Sequence, residues 1–283
     1  MCAAAPTGAA RPTAEGIADL AVAALNAEAT LTPKPGLVDG RGPGAHADMN
    51  LALLLDAAEV LRDTFAACAE AAALEPVGVP LRARLGAIGR EGERRMLAAT
   101  GGVNTHRGAI WALGLVSAAA AVAGDLRGIV GVAAALARIG DPASAPAGRQ
   151  SHGLAARRRY GVMGAAGEAR WGFPHVVAHA LPALMRQRER GAGETTARLD
   201  ALLAVMAHLD DTCLLHRGGR DGLTAMQRGA GAVLAAGGTG VSCGRRRLIE
   251  RDRRAARERL SPGGSADLLA VALMLDSLRG RHM

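Results

Sequence analysis

The sequence predicts an all-α protein, on the evidence of its composition and of the spacing of its apolar residues. Apolar residues make up 49% of the 283-residue chain, and alanine, leucine and valine dominate them. Alanine and leucine are strong helix formers, and small side chains let helices pack closely. Aromatic residues, which strands favour, account for only 2%. We therefore expect a single compact domain of about ten helices, with polar inter-helix loops forming the site.

Apolar residues recur at helical spacing along most of the chain. The first helix should begin at Thr13, a suitable N-cap, bury Ile17 and Leu25, and end before Pro33. The other helices are predicted at residues 49–73, 81–100, 108–123, 126–139, 173–190, 198–209, 223–236, 245–260 and 266–278. Residues 1–12 are expected to be a disordered tail, which leaves residues 13–283 for the all-α domain.

Charge and cysteine content narrow the classes of function. The net charge is +8, and Lys34 is the single lysine in the chain. Because aromatic residues do not alternate with the arginines, a polyanionic small ligand is favoured over nucleic acid. The four cysteines are too far apart for a zinc knuckle or a disulfide framework. No apolar stretch reaches about 18 residues, so we expect a cytoplasmic protein without a membrane partner.

Residues 31–50, LTPKPGLVDGRGPGAHADMN, are the strongest candidate for part of an active site. Glycines allow close backbone approach to a ligand, and Lys34 offers a point charge to a phosphate. Asp39, Arg41, His46 and Asp48 complete the polar set, and His46 with Asp48 could ligate a metal. A Pro/Gly loop with a few surface charges is the structural alternative. The density of reactive groups before a helix N-terminus favours a site.

A second cluster, VNTHRG, lies at the start of another predicted helix. Asn104 or Thr105 can cap this helix, with His106 and Arg107 in its first turn. Arginine is disfavoured by the helix dipole at that end. Its presence there indicates an anionic partner, with a surface salt bridge as the simpler alternative.

Three more clusters occupy the later loops. SHGLAARRRYGVMGAAGEARWGFP contains Glu168 after a run of arginines that could also be a solvated patch. MAHLDDTCLLHRGG contains Asp210, Asp211 and Arg217, and its paired carboxylates repel each other unless a cation compensates them. A divalent metal would do so, whereas a polar helix end is the structural alternative. Asp267, in SPGGSADLLA, is consistent with ordinary helix capping.

These residues alone predict an all-α, metal-assisted enzyme that acts on a phosphorylated ligand. The chain has neither a P-loop motif nor a strand-linked GxGxxG motif. A metal-dependent hydrolase of nucleotides or ADP-ribose, and a non-catalytic nucleotide-binding or nucleic-acid-binding protein, remain as alternatives.

The five motifs occur in one chain in the order given, and together they resemble the triphosphoribosyl-dephospho-CoA synthase family over about residues 13–280. The resemblance implies a transferase that joins ATP and 3′-dephospho-CoA through the ribose 2′-hydroxyl and releases adenine. Its product would be the prosthetic-group precursor of an acyl carrier protein subunit in citrate lyase or malonate decarboxylase. A holo-acyl-carrier-protein synthase would receive that product, and Mg²⁺ is expected as Mg-ATP.

This reaction lets us assign roles to the candidate residues. Catalytic roles at the reacting ribose are expected for Asp39, His46, His106 and Glu168. Substrate or phosphate binding is expected for Lys34, Arg41, Asn104, Arg107 and Arg217. Metal binding is expected for Asp48, Asp210 and Asp211.

One position departs from the family pattern. Ala166 stands where the family usually has an arginine, so a phosphate contact there would have to come from a neighbour such as Arg157 or Arg170. The sequence does not separate the two pathways. It also leaves open whether the chain forms a homodimer.

Overall fold

A computed structural model describes residues 11–143 and 152–280, and these residues form thirteen α-helices and one π-helical segment. The predicted tail therefore lies almost wholly outside the described residues. The first seven helices are α1 Ala14–Thr30, α2 Leu51–Val60, α3 Arg62–Leu74, α4 Val79–Ala99, α5 Arg107–Val122, α6 Leu126–Arg138 and α7 His152–Tyr160. The others are α8 Gly164–Arg170, α9 Leu181–Glu189, α10 Glu194–Met206, α11 Thr212–Ala235, α12 Ser242–Arg257 and α13 Gly263–Gly280, and the π-helical segment Val176–Ala180 precedes α9.

The all-α prediction is confirmed. Within the described residues the structure contains no β-strand, and its only extended pairing is an isolated bridge between Asp39 and Gly42. The first helix begins as predicted, because the side chain of Thr13 accepts a hydrogen bond from the Gly16 backbone N–H at 3.1 Å.

The core is built around α5 and α13, which are buried on almost every face. Helices α1, α3 and α6 pack against α5, while α1 and α10 pack against α13. Their buried side chains form one apolar cluster that extends from α1 to α13. A helix that is apolar on all sides is usually buried in the protein interior. Because α5 and α13 are buried in this way, the polar residues in their first turns also lie inside the fold.

Three predicted helices differ from the observed ones. Residues 49–73 form two helices, which meet at the fully buried Leu61, the C-cap of α2 and the N-cap of α3. Residues 173–190 begin with a positive φ at Phe173 and a π-helical segment. The helix predicted at residues 223–236 already starts at Thr212, where Asp211 caps it, and Gly219 breaks it with a φ of 61°.

Among the described residues, no helix combines the length and the apolar character needed to cross a membrane.

Candidate active site

A cavity of about 380 Å³, here called the main cavity, lies where the first turns of α5, α11 and α13 meet α7 and α8. Its volume is in the usual range for a small-molecule site. Apolar side chains and the indole of Trp111 form part of its wall. The polar lining residues used below are Asn104, Arg107, Arg157, Glu168, Asp210 and Asp267.

Helix N-termini and arginines make the main cavity suitable for an anion. The first residues of α5 and α11, Arg107 and Thr212, line it together with Gly264 of α13. The helix dipole favours negative charge at such ends, and the Asp211 carboxylate already accepts hydrogen bonds from the first N–H groups of α11 and α13. Arg107 and Arg157 add formal positive charge. The cavity therefore combines an apolar surface with an end that attracts anions.

Asp267, in the first turn of α13, is the carboxyl group most closely fitted to this wall. Its Oδ2 is so close to Gly108 that a Cβ at that glycine would overlap it. Burial, with the neighbouring carboxylates of Glu28 and Asp211, raises the pKa of Asp267 well above its ordinary value. The Asp267 carboxyl is therefore suited to carry a proton at the cavity surface.

Asp210 and Asp211 are adjacent in sequence but have different environments. Asp211 is 1% exposed, and its carboxylate accepts hydrogen bonds from Cys213 N at 2.9 Å and from Ser265 N and Oγ at 2.8 and 3.0 Å. It therefore ties α11 to α13 at the wall of the main cavity, and its role as a metal ligand stays a prediction. Asp210 is exposed at the cavity.

Glu168 lies at the main cavity and is held by a histidine that the sequence analysis did not select. Its Oε1 is 2.6 Å from His175 Nδ1, and Glu168 is 5% exposed. The hydrogen bond to Glu168 raises the pKa of His175. Beyond His175, the rings of His179 and His208 stack with centroids 3.9 Å apart. The Glu168–His175 pair can hold or exchange a proton beside the cavity.

The VNTHRG cluster contributes two of its residues to the main cavity. Asn104 Oδ1 accepts a hydrogen bond from Arg107 N at 3.3 Å, and the Arg107 guanidinium pairs with Glu93. His106 is 4% exposed and its Nε2 is 3.0 Å from the Leu54 carbonyl. Burial lowers the pKa of His106. It joins α5 to α2 and does not line the main cavity, contrary to its predicted catalytic role.

Lys34 has a different environment from the one predicted. It is 1% exposed, and its Nζ is 2.6 Å from both the carbonyl and the carboxylate of Glu28. These contacts use two of the three N–H donors of the ammonium, and Lys34 is not part of the main-cavity lining as described. Lys34 therefore neutralises a buried carboxylate, and its contact with a phosphate stays a prediction.

Asp39 and Arg41 also hold the 31–50 loop together. The carboxylate of Asp39 accepts hydrogen bonds from the backbone N–H groups of Lys34 and Arg41, both at 2.8 Å. Arg41 Nη1 is 2.8 Å from Asp252 Oδ2 on α12. These contacts fasten the loop to α12, and neither Asp39 nor Arg41 is part of the main-cavity lining as described.

His46 and Asp48, on the same loop, form a separate group with Arg217 of α11. His46 Nε2 is 2.8 Å from Ser261 Oγ, and its Nδ1 is 3.3 Å from Arg217 Nη2 and 3.8 Å from Asp48 Oδ1. Burial and the charge of Arg217 lower the pKa of His46. In the described structure these three residues lie outside the main cavity. The predicted site is therefore divided between the 31–50 loop and the main cavity.

Ala166 lines the main cavity, as does Arg157. Gly164, also in the lining, lies close to the Arg157 side chain, whereas Arg170 Nε donates to the Ala137 carbonyl at 3.3 Å. Of the two proposed substitutes for a missing arginine, Arg157 thus has the suitable place. Arg157 is the first of three consecutive arginines in the sequence, which gave no signal of this position.

The fold and the site together define a class of protein, an all-α enzyme whose cavity is lined by carboxyl groups and arginines. A family model described as CitG, ATP:dephospho-CoA triphosphoribosyl transferase, matches residues 14–283. The chain belongs to this family and is a transferase.

Relatives support the same assignment. A Stutzerimonas stutzeri protein named "Probable 2-(5''-triphosphoribosyl)-3'-dephosphocoenzyme-A synthase" is 57% identical over 94% of this chain and 92% of its own length. Proteins of that name from Pseudomonas aeruginosa, strain UCBPP-PA14, and Azotobacter vinelandii are 58% and 55% identical, over 93% and 94% of this chain and 91% and 92% of their own. No solved structure was found to match.

Proposed function

We propose that this protein joins ATP to 3′-dephospho-CoA, forms 2′-(5″-triphosphoribosyl)-3′-dephospho-CoA and releases adenine. The observation that carries the proposal is a main cavity lined by four carboxyl groups and by Arg107 and Arg157, in a chain of this transferase family. Both substrates are polyanions with an apolar base. The apolar wall with Trp111 suits a purine, and the guanidinium groups of Arg107 and Arg157 suit phosphates.

The proposed reaction exchanges one bond at C1′ of the ATP ribose for another. The bond from C1′ to N9 of adenine breaks, and a bond from C1′ to the 2′-oxygen of dephospho-CoA forms. The proton of that hydroxyl leaves to a base, and a ring nitrogen of adenine receives a proton. No oxidant or further co-substrate is needed.

Three of the four carboxyl groups that line the main cavity match these demands. We assign protonation of adenine to Asp267, because burial raises the pKa of this carboxyl and so favours its protonated form. Glu168, positioned by His175, is our choice for the base that accepts the hydroxyl proton. Asp210 can stabilise the positive charge that develops on the ribose.

Magnesium enters this proposal as part of the substrate Mg-ATP. Among the described residues no group of three or more His, Cys, Asp or Glu side chains is arranged to hold a metal. Asp211 is occupied by capping contacts, and Asp48 lies in the loop group with His46. Within the described residues, Asp48, Asp210 and Asp211 therefore do not come together as one metal site. Mg²⁺ commonly binds through one or two carboxylates and substrate phosphates, a part that exposed Asp210 could take.

The product chemistry suggests where the enzyme acts. A phosphorylated ribosyl derivative of dephospho-CoA is suited to transfer onto an acyl carrier subunit of malonate decarboxylase or citrate lyase by a holo-acyl-carrier-protein synthase. We propose this role in the cytoplasm, where ATP is available.

The test is to incubate the purified protein with Mg-ATP and 3′-dephospho-CoA and to follow adenine and the coupled product by mass spectrometry. The proposal expects both to appear in equal amounts, and only when both substrates are present. Adenine and ribose triphosphate formed without dephospho-CoA would instead identify a hydrolase. Binding of nucleotide without adenine release would indicate a non-catalytic protein.

A further inference from the structure

A second cavity of about 210 Å³ lies between α4 and α5 and shares Arg107 and Trp111 with the main cavity. Three glycines, at positions 86, 89 and 114, leave space along these helices. The volume is smaller than that of a typical site for a whole small molecule. The second cavity is therefore of a size that suits a small group or one part of a larger ligand.

The walls of the second cavity contain three buried hydrogen-bond donors without an acceptor among the described residues. They are Arg82 Nε, Arg107 Nε and Trp111 Nε1. Arg82 is only 6% exposed, so its side chain is directed inward. A buried donor without a partner is costly and uncommon in folded proteins. Three of them around one cavity indicate a ligand that is rich in acceptors.

Charge points to an anion as that ligand. Arg82, Arg90 and Arg107 face two carboxylates, Asp141 and Glu93, so one positive charge remains in excess. Asp141 Oδ2 is 2.6 Å from Arg90 Nη1 but 3.9 Å from Arg82 Nη1. The Arg82 guanidinium instead stacks over Trp111, 5.0 Å from the ring centroid. A guanidinium held in this way keeps donors available for a phosphate.

We infer that the second cavity is a phosphate-binding subsite for the phosphate chain of one substrate. This inference rests on the proposed function for the identity of the substrate. The phosphates could come from the triphosphate of ATP or from the diphosphate of dephospho-CoA. Arg107 and Trp111, which line both cavities, would contact this substrate where it passes from one cavity into the other.

The first test measures binding of inorganic tripolyphosphate and pyrophosphate through the fluorescence of Trp111. The background is Trp171→Phe, because Trp171 is 66% exposed and lines neither cavity as described. We expect saturable binding, weakened at least tenfold by Arg82→Gln. The matched control is Arg84→Gln, on the same helix, whose side chain pairs with Glu75.

Two results of the binding experiment would overturn the inference. One is no saturable response in the parent protein, and the other is equal affinity in Arg82→Gln and Arg84→Gln. If circular dichroism shows that Arg82→Gln does not fold, Arg90→Gln decides the question, because the Arg90 side chain is 46% exposed and lines the same cavity.

Steady-state kinetics then identify the phosphate source. A rise in KM for ATP with unchanged KM for dephospho-CoA assigns the triphosphate, and the reverse assigns the diphosphate. Unchanged KM for both in a folded, active Arg82→Gln variant would contradict the inference. If the parent protein forms no coupled product yet binds tripolyphosphate through Arg82, the proposed function fails while the phosphate subsite stands.

Discussion

Replacing Asp267 with asparagine tests the proposed proton donor with little change in shape. The amide preserves the fit against Gly108 but cannot protonate adenine. General acid–base catalysis is typically worth about 10²–10⁴-fold. We therefore expect kcat to fall by about that factor, which corresponds to about 2.7–5.5 kcal/mol in the activation barrier.

The pH dependence separates lost proton transfer from general damage at the site. The pKa of Asp267 is raised in the folded protein, so wild-type kcat should fall as pH rises through that value. Asp267→Asn should lack this alkaline decline. The assay is adenine release in single-turnover experiments across pH. A kcat within threefold of wild type, or an unchanged alkaline decline, would refute the assignment.

Stability provides a control for the same variant. Above the ordinary aspartate pKa the unfolded chain loses a proton that folded Asp267 retains, so wild-type stability should fall with rising pH until the raised pKa is passed. Asp267→Asn removes this contribution. Urea unfolding should therefore show the variant gaining stability relative to wild type as pH increases.

Three further substitutions separate structural from catalytic residues. Lys34→Met leaves the buried Glu28 carboxylate unpaired and should cost about 3–5 kcal/mol of unfolding free energy in urea, with KM for ATP unchanged in the remaining folded protein. Gly108→Ala brings a Cβ against Asp267 and should lower kcat at least tenfold, while circular dichroism stays unchanged. Asp211→Ala removes the cap of α11 and should cost about 1–3 kcal/mol, measured as lower thermal stability without a changed Mg²⁺ requirement.

Each of these predictions has a contradicting result. A raised KM for ATP in a stably folded Lys34→Met variant would support a contact between Lys34 and a phosphate of ATP. Wild-type turnover in Gly108→Ala would show that the Asp267 position is not critical. Loss of the Mg²⁺ dependence in a stably folded Asp211→Ala variant would support Asp211 as a ligand of Mg²⁺.

Local sequence signals predicted the helices well where a cap or a glycine marks their ends. Thr13 caps α1 as expected, and the apolar residues of α5 are buried. The break at Leu61 escaped prediction because Leu61 itself is apolar and fits the helical spacing on both sides. The early start of α11 was not predicted, because the motif with Asp211 was interpreted as a metal site, whereas Asp211 is the N-cap of this helix.

The candidate site shows why residue type does not determine residue role. Lys34 and His106 are chemically capable groups, yet burial directs both toward partners inside the fold. Asp267 resembles an ordinary capping residue in sequence, and only the packing of α13 against α5 places it at the main cavity. These roles depend on contacts between helices that are far apart in the sequence. The spacing of apolar residues along the chain does not predict such contacts.

The central claim is that ribose triphosphate passes from adenine to dephospho-CoA, and isotope partition tests it most directly. The protein would be given Mg-ATP labelled with ¹³C in the ribose and ¹⁵N in the base, with and without 3′-dephospho-CoA. We expect all ¹⁵N in free adenine and all ¹³C in the coupled product, with neither product formed when dephospho-CoA is omitted. Ribose label in free ribose triphosphate, or both labels together in the coupled product, would contradict the claim.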